Sequence, residues 1–203
     1  VISPLLANIY LNPLDWQMVR EGQQMVRYAD DAVVLCRSRE EAQSALARMR
    51  AWVSANGLAL HPDKTHVGDY RVEGQGFEFL GYRFEAGQRW VRKKSLTSLR
   101  DNIRAKTKRN EGNSLAYVIA ALNPTLRGWY GYFQHAHRFT FTSIDGFVRR
   151  RLRAMLRRQQ HRPGQGRCLR DHQRWPNAFF ADLGLFTMHE AHRLARQSRC
   201  GNN

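Results

Sequence analysis

The sequence predicts an α+β fold, with an antiparallel sheet and packed helices over residues 1–90 followed by a part built from helices alone. Three observations predict it. Hydrophobic periodicity changes near residue 90, from short strand-length runs to helical spacing. Charge changes at the same place. Val1 to Ala86 carries nine Lys/Arg against eleven Asp/Glu, and the remainder carries twenty-four against six, so the whole excess behind the net +16 lies in the second part. Finally, two adjacent carboxylates, Asp30 and Asp31, interrupt an apolar strand-turn-strand pattern.

The opening Ile2-Ser3-Pro4, followed by Leu5, Leu6, Ile9, Tyr10 and Leu11, predicts a helix with Ser3 as N-cap and Pro4 at its first position. Gln24–Tyr28 and Ala32–Cys36 are strand-length and apolar, and the turn between them carries the carboxylates. Ser38 and Glu41 make a capping-box pair ahead of Ala42, Ala45, Leu46, Met49 and Trp52 at helical spacing. Gly57 stands where a left-handed C-terminal cap is expected. Short strands are expected at Leu58–Leu60 and Thr65–Val67, around the turn His61-Pro62-Asp63-Lys64. A further hairpin is expected around Phe77–Phe84, turning at Ala86-Gly87 into Arg89–Val91. Helices are expected near 95–110, 114–135 (with Asn123-Pro124 allowing a break), 143–161 and 188–199. The domains are therefore read as 1–90, a helical 91–160, and 161–203 as a basic linker with a terminal helical segment.

A basic lobe beside a near-neutral one suits a polyanion held against a separate core. Arg supplies most of the excess, and its planar fork pairs with phosphate and stacks on bases. A membrane is not expected as the partner, since no apolar run approaches the roughly 18 residues a span needs. Cys36, Cys168 and Cys200 fit neither zinc spacing nor a disulfide framework, which points to a reducing compartment. The chain enters a structured motif at Val1 without an initiator Met, so a fragment of a longer protein is expected.

Two carboxylates side by side repel each other and, if buried, take up protons unless a cation neutralises them. At a hairpin tip, hard oxygen ligands of this kind suit Mg²⁺, which also bonds phosphate oxygens. The competing reading is a polar turn that only caps the hairpin.

Taken in order, the motifs resemble those of the group II intron reverse transcriptases, also called maturases. Val1–Leu11 resembles the palm helix block, Tyr28-Ala29-Asp30-Asp31 the active-site signature, and Gly57–Thr65 the block that follows it. Phe79-Leu80-Gly81-Tyr82 is similar to the primer-grip segment, and Leu122–Phe133 to the maturase-specific thumb. Each block alone is weak evidence; five in family order, across nearly the whole chain, are strong. The fold implied is a partial polymerase palm followed by an α-helical thumb or maturase domain.

The resemblance implies RNA-directed DNA polymerisation, together with RNA binding and assistance to intron splicing. Such nucleotidyl transfer uses two Mg²⁺ ions roughly 3.5–4 Å apart. Asp30 would be a shared ligand and Asp31 would assist, with a further carboxylate expected upstream of residue 1. The 203 residues are therefore not expected to polymerise by themselves. Lys64 would protonate or neutralise the pyrophosphate, or is simply a solvated turn lysine. Tyr28 would lie under the primer terminus, and Phe79, Leu80, Gly81 and Tyr82 would hold the primer backbone, unless these aromatics are core.

RNA contacts are expected from Lys93, Lys94, Arg100, Arg104 and Lys108, and from Arg127 with Trp129 and Tyr130. The dense run Arg149, Arg150, Arg151, Arg153, Arg157 and Arg158 is expected to add to them. The partners implied are group II intron RNA, a DNA primer on an RNA template, and dNTPs, with a homodimer left open. The compartment expected is the bacterial cytoplasm, with an organelle as alternative. The rival function is a non-catalytic RNA-binding splicing cofactor. A DNA-binding regulator ranks below both, because it leaves the Asp-Asp hairpin idle.

Overall fold

A computed structural model describes the backbone of residues 2–200 and the side chains of residues 2–198. It resolves into two compact units. The first runs through Leu80 and takes in Phe84–Gly87; the second comprises Gly81–Arg83 and the chain from Gln88 onward.

The first unit opens with helix α1, Ser3–Arg20. Ile2, not Ser3, is its N-cap and makes no side-chain capping bond. Pro4 lies in the first turn, where its missing N–H leaves no bond unmade. Leu14 and Met18 are the buried residues of α1, while Leu5, Leu6, Ile9, Tyr10, Trp16 and Val19 are exposed. Strands β1 (Gln24–Tyr28) and β2 (Asp31–Leu35) pair antiparallel, with Tyr28 opposite Asp31 and Gln24 opposite Leu35. Helix α2 (Arg39–Ala55) begins as the capping box dictates: the Glu41 N–H donates to Ser38 Oγ at 3.1 Å, and the Glu41 carboxylate accepts from the Arg37 N–H at 2.7 Å. Gly57 has φ +70°, the left-handed position just past that helix. Leu14, Met18, Ala45 and Val53 form the small core, joined by Met25, Val34, Trp52 and Leu60.

The strands expected at 58–60 and 65–67 do not form. A strand exists through the partner that pairs its N–H and C=O groups, and this stretch spends its backbone on a turn instead, with the Thr65 N–H donating to His61 O at 3.1 Å.

Beyond it, β3 (Phe77–Phe79), β4 (Tyr82–Glu85) and β5 (Gln88–Val91) form a three-stranded sheet in that order. The expected turn at Ala86-Gly87 joins β4 to β5, and a second turn at Leu80-Gly81 separates β3 from β4. Both turn residues have positive φ (+49° and +80°), as do Ala86 and Gly87 (+49° and +69°), the two-residue geometry whose twist matches an antiparallel ribbon.

The second unit is helical after β5: α3 (Lys93–Lys106), α4 (Leu115–Phe133), α5 (Arg138–Gln159), α6 (Leu169–Arg174), α7 (Asn177–Asp182) and α8 (Met188–Cys200). Leu99, Ile103, Leu122, Leu126, Phe141, Ile144, Leu152, Phe180 and Met188 lie at the heart of one large core. Helix α4 is unbroken at Pro124. Leu122 and Leu126 are buried on either side of it, and the Asn123 side chain is fixed by Gly184 O and the Phe186 N–H, both at 2.8 Å. Helix α5 starts five residues earlier than expected, where His137 Nδ1 accepts from the Phe139 N–H.

The segment after Gln159, expected as a linker, folds back onto α5. Arg157 donates to Pro163 O at 2.9 Å and pairs with Asp171 at 2.7 Å. Gly166, at φ +72°, approaches α5 so closely that a Cβ would lie 2.7 Å from Ala154 N. Sequence periodicity could not reveal α6 and α7, which are six residues each and too short to show a period.

Candidate active site and nucleic-acid interface

The hairpin tip is a two-residue turn, Ala29-Asp30, closed by the Tyr28–Asp31 pair. Ala29 has φ +54°, an uncommon conformation for a residue with a Cβ, which the surroundings must hold in place. Arg27 supplies that hold. Its Nη1 donates to Ala29 O at 2.7 Å and to Asn8 Oδ1 at 3.0 Å. Its Nε donates to Asp15 Oδ1 at 2.8 Å, and its Nη2 pairs with Asp15 Oδ2. The guanidinium thus straps the tip to α1 through Asn8 and Asp15, and its side chain is only 9% exposed. The hydrogen-bonded Asp15 carboxylate keeps the Arg27 guanidinium charged, raising its pKa above the ordinary value. Asp15 is therefore already committed to Arg27.

Asp30 and Asp31 are both exposed, and their side chains make no hydrogen bond or ion pair with another described residue. With Arg27 engaged by Asp15, Asn8 and Ala29 O, the tip presents two carboxylates to solvent. That donor set fits a hard divalent cation in type. Among the described residues, no group of three or more His, Cys, Asp or Glu side chains is gathered that could hold a metal ion.

Tyr28 stands beside the carboxylates, 65% exposed on β1. Lys64 is exposed in the irregular 61–67 stretch, with no described bond tying it to the hairpin. The Phe79-Leu80-Gly81-Tyr82 block is a hairpin turn whose residues point to different places. Phe79 is half-buried at the end of β3 and Leu80 is exposed at the tip. A Cβ on Gly81 would lie 3.2 Å from the Phe133 ring. Tyr82 packs edge-on to Phe133 and donates its hydroxyl to Tyr132 O at 2.8 Å, and burial raises its pKa.

The basic residues of the second unit fall into two sets. Lys93, Lys94, Arg127 and Arg158 are exposed, and Arg100 is half-buried. Arg127 lies over the Phe186 ring at 4.7 Å. Arg104 is exposed but pairs with Asp101 at 2.5 Å, and Lys108 pairs with Glu111 at 2.9 Å. In the other set the guanidinium is spent inside the protein. Arg151 donates to Thr107 Oγ1 at 2.9 Å and Thr107 O at 2.7 Å. Arg153, 3% exposed, donates to Trp175 O at 2.9 Å and Asn177 Oδ1 at 3.0 Å. Arg157 is held by Pro163 O and Asp171. The sequence suggests all three as RNA contacts, but their bonds tie helices together. Trp129 and Tyr130 are half-buried against the core, Tyr130 edge-on to Phe141 and Phe186. Arg149 and Arg150 stand between the sets, half-buried and without such bonds.

Two features lay beyond sequence reasoning. One is the Arg27–Asp15 pair, twelve residues apart on different elements. The other is Asp145, 3% exposed on α5, which accepts the N–H groups of Met188 at 3.1 Å and His189 at 2.9 Å and so caps α8. Burial raises the pKa of Asp145 against the pull of those N–H donors. Only the helical phase of Asp145 toward the core carried a hint of it.

Comparison with known families gives two matches, one for each part. Residues 1–84 match the reverse transcriptase (RNA-dependent DNA polymerase) family, and residues 96–175 match the group II intron, maturase-specific domain. No curated protein matches the chain.

Proposed function

This chain belongs to the group II intron reverse transcriptase and maturase family, and we propose that its two parts divide that protein's work, the Asp30–Asp31 hairpin serving nucleotidyl transfer and the basic helices holding RNA. The observation that carries the proposal is the contrast between an uncompensated acidic tip and a basic helical part that lacks matching acids.

Asp30 and Asp31 would hold Mg²⁺, which when bound neutralises charge on the primer oxygen and the leaving pyrophosphate. Arg27 fixes the tip by holding Ala29 O, so both carboxylates are presented without rearrangement. Tyr28, exposed on the same hairpin, offers its ring to the primer terminus. Lys64 offers a cation to the triphosphate of an incoming dNTP. With two carboxylates at the tip and no third gathered beside them among the described residues, the 203-residue chain by itself is inferred to bind RNA but not to extend a primer.

On the RNA side, Lys93, Lys94, Arg127 and Arg158 are the first candidates, being exposed and charged. Arg151, Arg153 and Arg157 act through the fold. The substrate is structured intron RNA, read mainly by shape and backbone. The test pairs two variants in one binding assay. Asp30→Ala with Asp31→Ala is expected to leave intron RNA affinity within about twofold, while Lys94→Glu with Arg158→Glu weakens it at least tenfold. Equal losses in both would defeat the division.

A further inference from the structure

Helix α5 and the segment folded back on it form a half-open pocket of about 320 Å³ whose wall carries Arg149, Arg150, Arg153 and Arg167, together with His172 and Asn177. No carboxylate lines it. The acids that attract these arginines are bonded elsewhere, Asp145, which acts on Arg149, to the N-terminus of α8 and Asp171, which acts on Arg153, to Arg157. The side chains of Arg149, Arg150 and Arg167 make no hydrogen bond or ion pair with any described residue, although Arg149 and Arg150 are half-buried and Arg150 lies over the Phe147 ring at 5.1 Å.

The pocket is built, not incidental. Arg153 is anchored by Trp175 O and Asn177 Oδ1, so one guanidinium is fixed in the wall. Gly166 lets the returning segment lie directly on α5: a Cβ there would sit 2.8 Å from Arg153 Cβ and 3.0 Å from Arg150 O. That approach places Arg167 opposite the arginines of the helix. Arg150 and Arg167 repel one another, as do Arg149 and Arg153, and burial strips water that would otherwise screen the arginines of the helix. Burial lowers the pKa of Arg149 against the attraction of Asp145, whose carboxylate is already bonded to α8; burial and then Arg167 and Arg104 lower that of Arg150. An anion with several oxygens removes both costs at once, and phosphate matches the guanidinium fork.

We propose that this pocket is a phosphate site that takes one backbone phosphate of bound RNA between Arg149, Arg150 and Arg167. The source of the phosphate rests on the RNA-binding reading above; the pocket itself does not.

The experiment has two arms on the 203-residue chain. In the first, inorganic phosphate is titrated against the wild type, Arg149→Gln with Arg167→Gln, and Arg167→Gln alone, and followed by ³¹P line broadening. The single variant guards against misfolding, since Arg167 makes no internal bond. Wild type should bind saturably, with affinity falling at least tenfold in the double variant and several-fold in the single one. Unchanged phosphate binding in both overturns the site, whatever RNA does. In the second arm, the salt dependence of intron RNA binding is compared. The double variant should lower the slope of log K against log salt by about 0.7–0.9, the loss of one phosphate contact. A slope equal to wild type, with phosphate binding lost, overturns RNA as the source. Absence of RNA binding by the wild type defeats the RNA reading, and the phosphate arm then judges the pocket alone.

Discussion

Arg27 ties three things that the chain keeps apart: an acid on α1, an amide on α1 and the carbonyl of a turn residue at positive φ. Its removal strands Asp15 and Ala29 O at once. Arg27→Met should therefore destabilise the first unit by about 2–3 kcal/mol, the range for losing charged hydrogen bonds at a partly buried pair, measured as a fall in the denaturant midpoint of that unit. Arg27→Lys should recover little of it, because a point charge cannot replace a fork that reaches Asp15 and Ala29 together. Full recovery by Lys would show that charge alone matters. The carboxylates themselves should behave oppositely. Asp30→Asn with Asp31→Asn should leave stability within about 0.5 kcal/mol, as exposed residues without bonds usually do. The same variant should abolish the Mn²⁺-induced broadening of amide signals from residues 28–32 that the wild type is expected to show. Broadening that survives would place the metal elsewhere.

At the scale of elements, the return of residues 161–174 onto α5 depends on one glycine and one ion pair. Gly166→Ala adds a Cβ 2.7 Å from Ala154 N at a positive φ, and neither the helix backbone nor the turn can yield cheaply. It should release the segment, read as faster amide exchange across α6 while α4 stays protected. The Asp171–Arg157 pair adds a pH dependence. Burial tends to raise the Asp171 pKa, but hydrogen bonds from Cys168 and Arg157 outweigh it and hold the carboxyl below its ordinary value. A carboxyl depressed in the folded state contributes its stability above the unfolded value of about 3.9 and loses it as pH falls through the lower folded value. Exchange protection of α6 should therefore hold at neutral pH and decline only below about pH 4. The same segment marks a limit of sequence reading. Long periodic helices announced themselves, as did the hairpin with its carboxylates and the Ser38–Glu41 cap. A segment held by one close approach and one distant acid has no period to read. Nor could the sequence sort the arginines: Arg151, Arg153 and Arg157 look like Arg158 until their partners Thr107, Trp175 and Asp171 are known.

For the whole molecule, the coincidence of the charge boundary with the change in periodicity near residue 90 was legible in the sequence. What composition could not give was how much of the basic charge is available. Part of it is structural, part lines the α5 pocket, and part lies open on the surface. Function is therefore expected to follow position and not charge count. That the acidic hairpin and the basic helices do separate work can be measured by fluorescence anisotropy of the wild-type chain, Asp30→Ala with Asp31→Ala, and Lys94→Glu with Arg158→Glu on one labelled intron RNA across a salt series. The carboxylate variant should keep its affinity and salt slope, and the charge-reversal variant should bind more weakly with a slope shallower by about 1–2. A carboxylate variant that loses RNA as the basic one does, or a basic variant that binds like the wild type, would contradict that separation.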